Sequence, residues 1–159
     1  MSVTIRQAKP DELKTVQDLN HKLFVSDNRH FNDLNLRWPY QEEGEKFFRT
    51  RISGESGVCL VAEFEGQIVG YAAGCVRSKS NVYNGVLAEL DNMFVEEAYR
   101  SQGIGSTLID TFASWARGRG AQKVIIDAYS PNSGAVKLYT KKGFVSYSTS
   151  LRMDLGESE

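Results

Sequence analysis

The chain is poor in the residues that build covalently stapled or metal-held folds. Cysteine occurs twice, as Cys59 and Cys75, and histidine twice, as His21 and His30. Neither cysteine sits in a C-x-x-C run or a Cys/His cluster, so both read as reduced thiols inside apolar strands. The histidines lack metal-ligand spacing, and no metal is expected. Proline appears three times, and no repeat, linker or low-complexity segment interrupts the chain. No apolar run approaches the length of a membrane span. Residues 1–6 lack the hydrophobic core of a signal peptide. Together these absences point to a cytoplasmic location and no membrane contact. A dominant charge is missing too: 19 Lys and Arg oppose 20 Asp and Glu, for a net charge of −1. That balance gives no whole-chain argument for nucleic acid as a partner.

What is present suits one soluble domain. The 159 residues are 41% hydrophobic and 25% charged, enough to bury a core without staples. A domain over residues 1–155 and a tail over 156–159 are expected. Val3–Ala8 alternates as a strand, and Pro10-Asp11-Glu12 opens a helix whose apolar residues recur to about Val25. Residues 29–40 break the pattern, with Phe31, Trp38 and Tyr40 either packing on the core or lining a cleft. A second helix is predicted over 41–52. Strands follow at 58–64, 67–76 and 86–95, the first two joined by the turn Glu65-Gly66. A long helix starts near Gly103, a strand covers 122–128, and Asn132-Ser133 caps a short helix ending before Gly143. Residues 144–155 are predicted to supply one or two last strands. Hairpin-joined strands precede helix-joined ones, which implies a mixed sheet in an α+β domain.

The most informative stretch runs from Leu90 to Ser106. It passes from a strand through a turn into the long helix, with Arg100, Gly103 and Gly105 at the junction. A helix N-terminus carries unpaired N–H groups and partial positive charge, which suits a phosphate. No G-x-x-x-x-G-K-[ST] run exists, and Gly103-Ile104-Gly105-Ser106-Thr107-Leu108 lacks the third glycine of a dinucleotide fingerprint.

The larger pattern is more specific. Arg100-Ser101-Gln102-Gly103-Ile104-Gly105 matches [QR]-x-x-G-x-[GA] after a strand ending Met93-Phe94-Val95. A second block contains Asn132, Ala135, Leu138, Tyr139, Lys141, Gly143 and Phe144. Together they resemble the GNAT superfamily of acyl-CoA-dependent N-acetyltransferases, most strongly from Leu87 to Phe144. The resemblance implies a GNAT-like mixed, largely antiparallel sheet of 6–7 strands flanked by about four helices. It also implies acetyl-CoA as co-substrate and an amine as acceptor. Its pyrophosphate would rest on the backbone of Ser101, Gln102, Gly103, Ile104, Gly105 and Ser106, with charge from Arg100. The pantetheine arm would run along Met93, Phe94 and Val95, with Asn132 reaching it from the other side.

The chemistry needs a base for the amine, a donor for the developing oxyanion and a proton for the thiolate. The resemblance places the oxyanion donor at the N–H of Phe94 or a neighbour, and the general acid at Tyr139. Tyr129 ends a strand outside the matched motif. The base candidates are Glu89 and Asp91. Strict alternation puts both on one face with Met93 and Val95, where mutual repulsion would raise one pKa. Glu89, eleven residues before Arg100, matches the family's base position and is the preferred base; Asp91 lies nearer the expected thioester. The competing reading is a non-catalytic acyl-CoA-binding sensor or interaction module. The amine is not legible: residues 24–52 mix both charges. A homodimer is compatible with the sequence.

Overall fold

The computed structural model describes residues 2–157. A five-stranded sheet runs in the order β1-β2-β3-β4-β5, with β1 at Thr4–Gln7, β2 at Val58–Phe64, β3 at Gln67–Val76, β4 at Leu87–Val95 and β5 at Lys123–Ile125. The first four pair antiparallel, and β5 lies parallel to β4. Glu65 and Gly66 take φ of 48° and 80°. Two successive left-handed residues match the twist of a hairpin, which is why this dipeptide joins β2 to β3. Val58 to Ala62 are all buried because both faces of the sheet are covered, so β2 reads as a continuous apolar run.

Helices cover the two faces separately. On one face lies α3, Ile104–Gly118, whose stripe of Ile104, Leu108, Ile109, Phe112 and Ala116 is buried against Leu60, Ala72, Ala88 and Leu90. On the other lie α1, Leu13–Phe31, and α2, Glu42–Ser53, packing Val16, Leu19 and Phe48 on Val61, Tyr71, Ala73 and Phe94. Each such fully buried large side chain contributes roughly 1.5–3 kcal/mol. A fourth helix, α4, spans Ser133–Lys141. Gly74 lets α3 lie close on the sheet, because a Cβ there would collide with the Phe112 ring and the Glu89 carbonyl.

Helix α1 is longer than its periodicity predicts. It continues through Ser26-Asp27-Asn28 to Phe31 and stops where Asn32 turns left-handed at φ 56°. Buried polar groups pin α1 and the connection that follows: Gln17 Nε2 donates to Pro39 O at 2.8 Å, and Asn20 Nδ2 ties α1 to β3 by donating to Tyr71 Oη at 2.8 Å. Trp38 stacks on Phe24 and meets Phe47 at 5.6 Å. The Tyr40 hydroxyl donates to Asp18 at 2.7 Å. Trp38 and Tyr40 therefore pack this connection down. Phe31 alone of the three reaches another rim, against Tyr129 at 4.9 Å.

The expected 6–7 strands are five, because residues 144–157 form no strand. The alternation of this segment is strand-like, but a strand exists only where a ladder pairs it. Val145, Tyr147, Leu151, Met153 and Leu155 stand in solvent instead. Of the expected tail, Ser158 and Glu159 lie outside the described residues. Among the described residues, no helix is long and apolar enough to cross a membrane.

Candidate functional site

A bulge in β4 shapes the site. Ala73 pairs with Asn92 and Gly74 with Leu90, leaving Asp91 as the extra residue. A bulge bends its strand and inverts the side-chain alternation beyond it. Before it, Leu90 and Ala88 face α3; after it, Met93 and Val95 do, and Phe94 joins the α1/α2 side. Glu89 sits opposite Cys75, and Asp91 bonds Arg51 of α2, so both carboxylates turn toward α2. The expected face shared by Glu89, Asp91, Met93 and Val95 is thus corrected: the first two are separated from the last two.

The same bend parts β4 from β5. The parallel ladder covers Leu87, Ala88 and Glu89 only, ending at Ile125. Beyond it β4 continues to Val95 with no strand on that edge. The gap leads to the junction with α3. There Ser101 and Gly103 take φ of 62° and 82°. The first ladder bond of α3 runs from Thr107 N to Gly103 O, so the N–H groups of Ile104, Gly105 and Ser106 precede the ladder. The two glycines serve different ends. A Cβ on Gly103 would meet nothing within 4 Å; its requirement is the left-handed backbone. A Cβ on Gly105 would press on Leu138 Cδ2 of α4 at 3.1 Å, with Met93 Cε at 3.7 Å. Ser101 and Gln102 are exposed, and the Ile104 side chain is buried, which leaves only its backbone available. Arg100 braces the strand end: its Nε donates to Val95 O at 2.8 Å and its guanidinium lies over the Phe94 ring at 5.1 Å.

Each strand carboxylate has an arginine. Arg51 Nε reaches Asp91 Oδ2 at 3.1 Å, and Arg77 Nε reaches Glu89 Oε2 at 2.8 Å. The Asp91 carboxyl is raised above the ordinary range chiefly by burial; Arg51 opposes this, and the Glu89 charge adds a smaller push. Repulsion between the two acids is therefore secondary to desolvation. Asn92, next along, holds its Oδ1 buried without a hydrogen-bond donor.

Tyr139 lies on α4, its ring edge-on to Phe144 at 5.7 Å. Burial pushes its phenol up to about 12, and the charge of Asp27 adds to the shift. Asn132 caps α4, its Oδ1 accepting from Ala135 N at 3.1 Å, so its amide nitrogen is the part left to face a ligand. Asp27 belongs to the same region and was not singled out by sequence. It sits one turn before His30 and Phe31, which both contact Tyr129. Among the described residues it makes no ion pair or hydrogen bond, and burial raises its carboxyl above the ordinary range. The available signal was helical spacing: 27, 30 and 31 share one face once α1 is known to continue. Among the described residues, no cluster of three or more His, Cys, Asp or Glu could hold a metal.

Comparison with known proteins agrees with this architecture. The sequence profile of the acetyltransferase (GNAT) family matches residues 21–144. An uncharacterized N-acetyltransferase of Methanocaldococcus jannaschii is 27% identical over 143 residues, covering 89% of this chain. The chain spans 60% of that relative's length. An aminoglycoside N(6')-acetyltransferase of Klebsiella aerogenes is 27% identical over 114 residues, which are 67% of this chain and 75% of the relative. Among solved structures, a mutant of the BH1408 protein of Bacillus halodurans superposes with a TM-score of 0.81 at 18% identity, covering 96% of this chain and 99% of that one. The aminoglycoside acetyltransferase AAC(6')-Iy in complex with CoA superposes with a TM-score of 0.74 at 16% identity, covering 96% and 94%. Those structural likenesses speak to the fold, and the profile match spans the bulged strand, the glycine turn and α4. On that match the chain belongs to the acetyltransferase (GNAT) family.

Proposed function

We propose that the chain is an acetyl-CoA-dependent N-acetyltransferase in which a primary amine attacks the thioester directly in a ternary complex. The observation that carries this reading is the gap where β4 leaves β5 and runs onto the free N–H groups of α3. The residues fit the co-substrate: a positive helix end suits its phosphates, and an unpaired strand edge suits the amides of its pantetheine arm. Acetyl-CoA, when bound, supplies the activated acyl thioester.

The protein groups divide the remaining work. Backbone N–H groups at 104–106 hold phosphate charge. The free edge of β4 near Phe94 orients the arm and offers an N–H to the oxyanion. On the α1/α2 side, Asp27 and Asn92 Oδ1 attract and orient the acceptor ammonium. Asp91, its basicity raised by burial, receives the proton the amine must lose. Tyr139 keeps its proton at neutral pH and donates it to the departing sulfur as the C–S bond breaks. Both carboxylates carry an arginine, and Asp91 is favoured over Glu89, the family's position for the base, because burial raises its carboxyl.

The test follows free thiol on incubation with acetyl-CoA and a panel of amines. An aminoglycoside and glucosamine 6-phosphate belong in the panel, because relatives carry those substrates in their names. Thiol release with an acetylated amine in the mass spectrum is expected. Saturable CoA binding with no release on any amine would favour the acyl-CoA-binding module and sink the transferase reading.

A further inference from the structure

A groove of about 470 Å³ opens at the end of the sheet where α2 and α3 finish. It lies on the β2/β3 side of β4, across that strand from the gap beside β5. Its size suits a small organic ligand, whose sites run to roughly 300–1,000 Å³. Three elements bring positive charge to it: Arg51 comes from α2, Arg77 follows β3, and Arg119 ends α3. Of the acids among the described residues, Glu55 alone lines it. Trp115 forms an apolar wall, and Ser56 and Ser78 add hydroxyls.

The arginines keep donors to spare. Arg51 is fixed in place, with Nε on Asp91, Nη1 on the Ser56 carbonyl and hydroxyl, and its guanidinium over the Phe47 ring at 4.5 Å. Gly57 allows this, because a Cβ there would collide with Gly74 O and Arg51 Cδ. Arg77 spends only its Nε, on Glu89. Arg119 lies over the Trp115 ring at 5.3 Å and has no ion pair among the described residues. Arg51 Nη2, both terminal nitrogens of Arg77 and the whole Arg119 head are therefore available to an occupant. Donors from three separate elements suit the three terminal oxygens of a phosphate monoester better than the two in-plane oxygens of a carboxylate. The Trp115 ring offers the organic body of such a ligand a surface to pack on.

We propose that this groove binds a small phosphate monoester as an effector, separate from acetyl-CoA and from the acceptor amine. The occupant shares Arg51 and Arg77 with Asp91 and Glu89. It loosens the hold of the two arginines on those carboxylates and so changes the rate of transfer. The effector role rests on the proposed reading of the carboxylates; the binding site does not. The groove also carries its own reporter. Cys75 lines it, opposite Glu89, and is half-buried, whereas Cys59 is buried.

Alkylation of Cys75 by iodoacetamide, followed by mass spectrometry on the full chain, reads the occupancy. Acetyl-CoA is present throughout, to keep the α3 turn filled. Phenyl phosphate up to about 10 mM should slow the alkylation saturably, and inorganic phosphate should do so more weakly. Arg119→Gln should keep its circular dichroism and raise the apparent Kd about tenfold, the loss of a charge-assisted contact. In the transfer assay, phenyl phosphate should change the wild-type rate at concentrations that leave Arg119→Gln unaffected. Equal slowing by sodium chloride at matched ionic strength would reduce the effect to screening and overturn the site. Undiminished protection in Arg119→Gln would overturn it too. Inorganic phosphate binding as tightly as phenyl phosphate would overturn the monoester. Protection with an unchanged transfer rate would overturn the effector role. No turnover on any amine would remove that role together with the transferase reading, while the protection of Cys75 still decides the site.

Discussion

Asp91 is the bulged residue of β4, and Arg51 of α2 holds its carboxylate at 3.1 Å, with the two side chains only 17% and 13% exposed. This ion pair ties the strand distortion to the helix packed over it. Removing one partner strands the other in a poorly hydrated place.

Arg51→Met should therefore lower stability by about 2–4 kcal/mol in denaturant titration. The deficit should be largest at neutral pH, where Asp91 is ionised. It should shrink on acidification, since the carboxyl is already raised by burial and loses its charge early. A deficit that does not change with pH would mean the loss is packing alone, including the contact of Arg51 with the Phe47 ring.

Tyr139→Phe should reduce kcat by about 10²-fold or more, the range for a lost general acid, with little effect on CoA binding. The phenol is pushed up to about 12, so it stays protonated throughout the working range. The wild-type rate should not fall on the alkaline side from its ionisation. Unchanged kcat in the variant would remove Tyr139 from the reaction.

Asp91→Asn should flatten the acidic limb of the pH–rate profile, and Glu89→Gln should leave that limb in place. The sign follows from the base form: a carboxyl raised by burial becomes basic only above the ordinary range, so rate climbs with pH over that window. If Glu89→Gln flattens the limb instead, the assignment reverses.

Gly105→Val should abolish most of the thermal stabilisation by CoA. The new side chain meets Leu138 and stands among the N–H groups proposed to hold phosphate. A ligand that binds only the folded state raises the melting temperature, with the logarithm of its concentration over Kd. An undiminished shift at saturating CoA would place the pyrophosphate elsewhere.

Asp27→Asn should raise KM for the amine more than it lowers kcat, because the residue is assigned to attract the ammonium. The opposite split, a fall in kcat with KM unchanged, would make Asp27 part of the proton path.

Local patterns carried much of this protein into view. Glu65-Gly66 set the hairpin, the apolar stripe from Ile104 to Ala116 set α3, and Asn132 set the start of α4. Each is a short-range matter of turn chemistry, periodicity or capping. The family pattern was legible for the same reason, since it is written in adjacent residues. The partners of the reactive groups were not. Arg51 lies 40 residues from Asp91, and nothing local marks the bulge that sends Met93 to the opposite face. Asp27 became visible only once α1 ran past Val25. Residues 145–155 alternate like a strand, but no ladder pairs them, so they form none. Periodicity fixes which side chains share a face; only the packed sheet decides what that face meets.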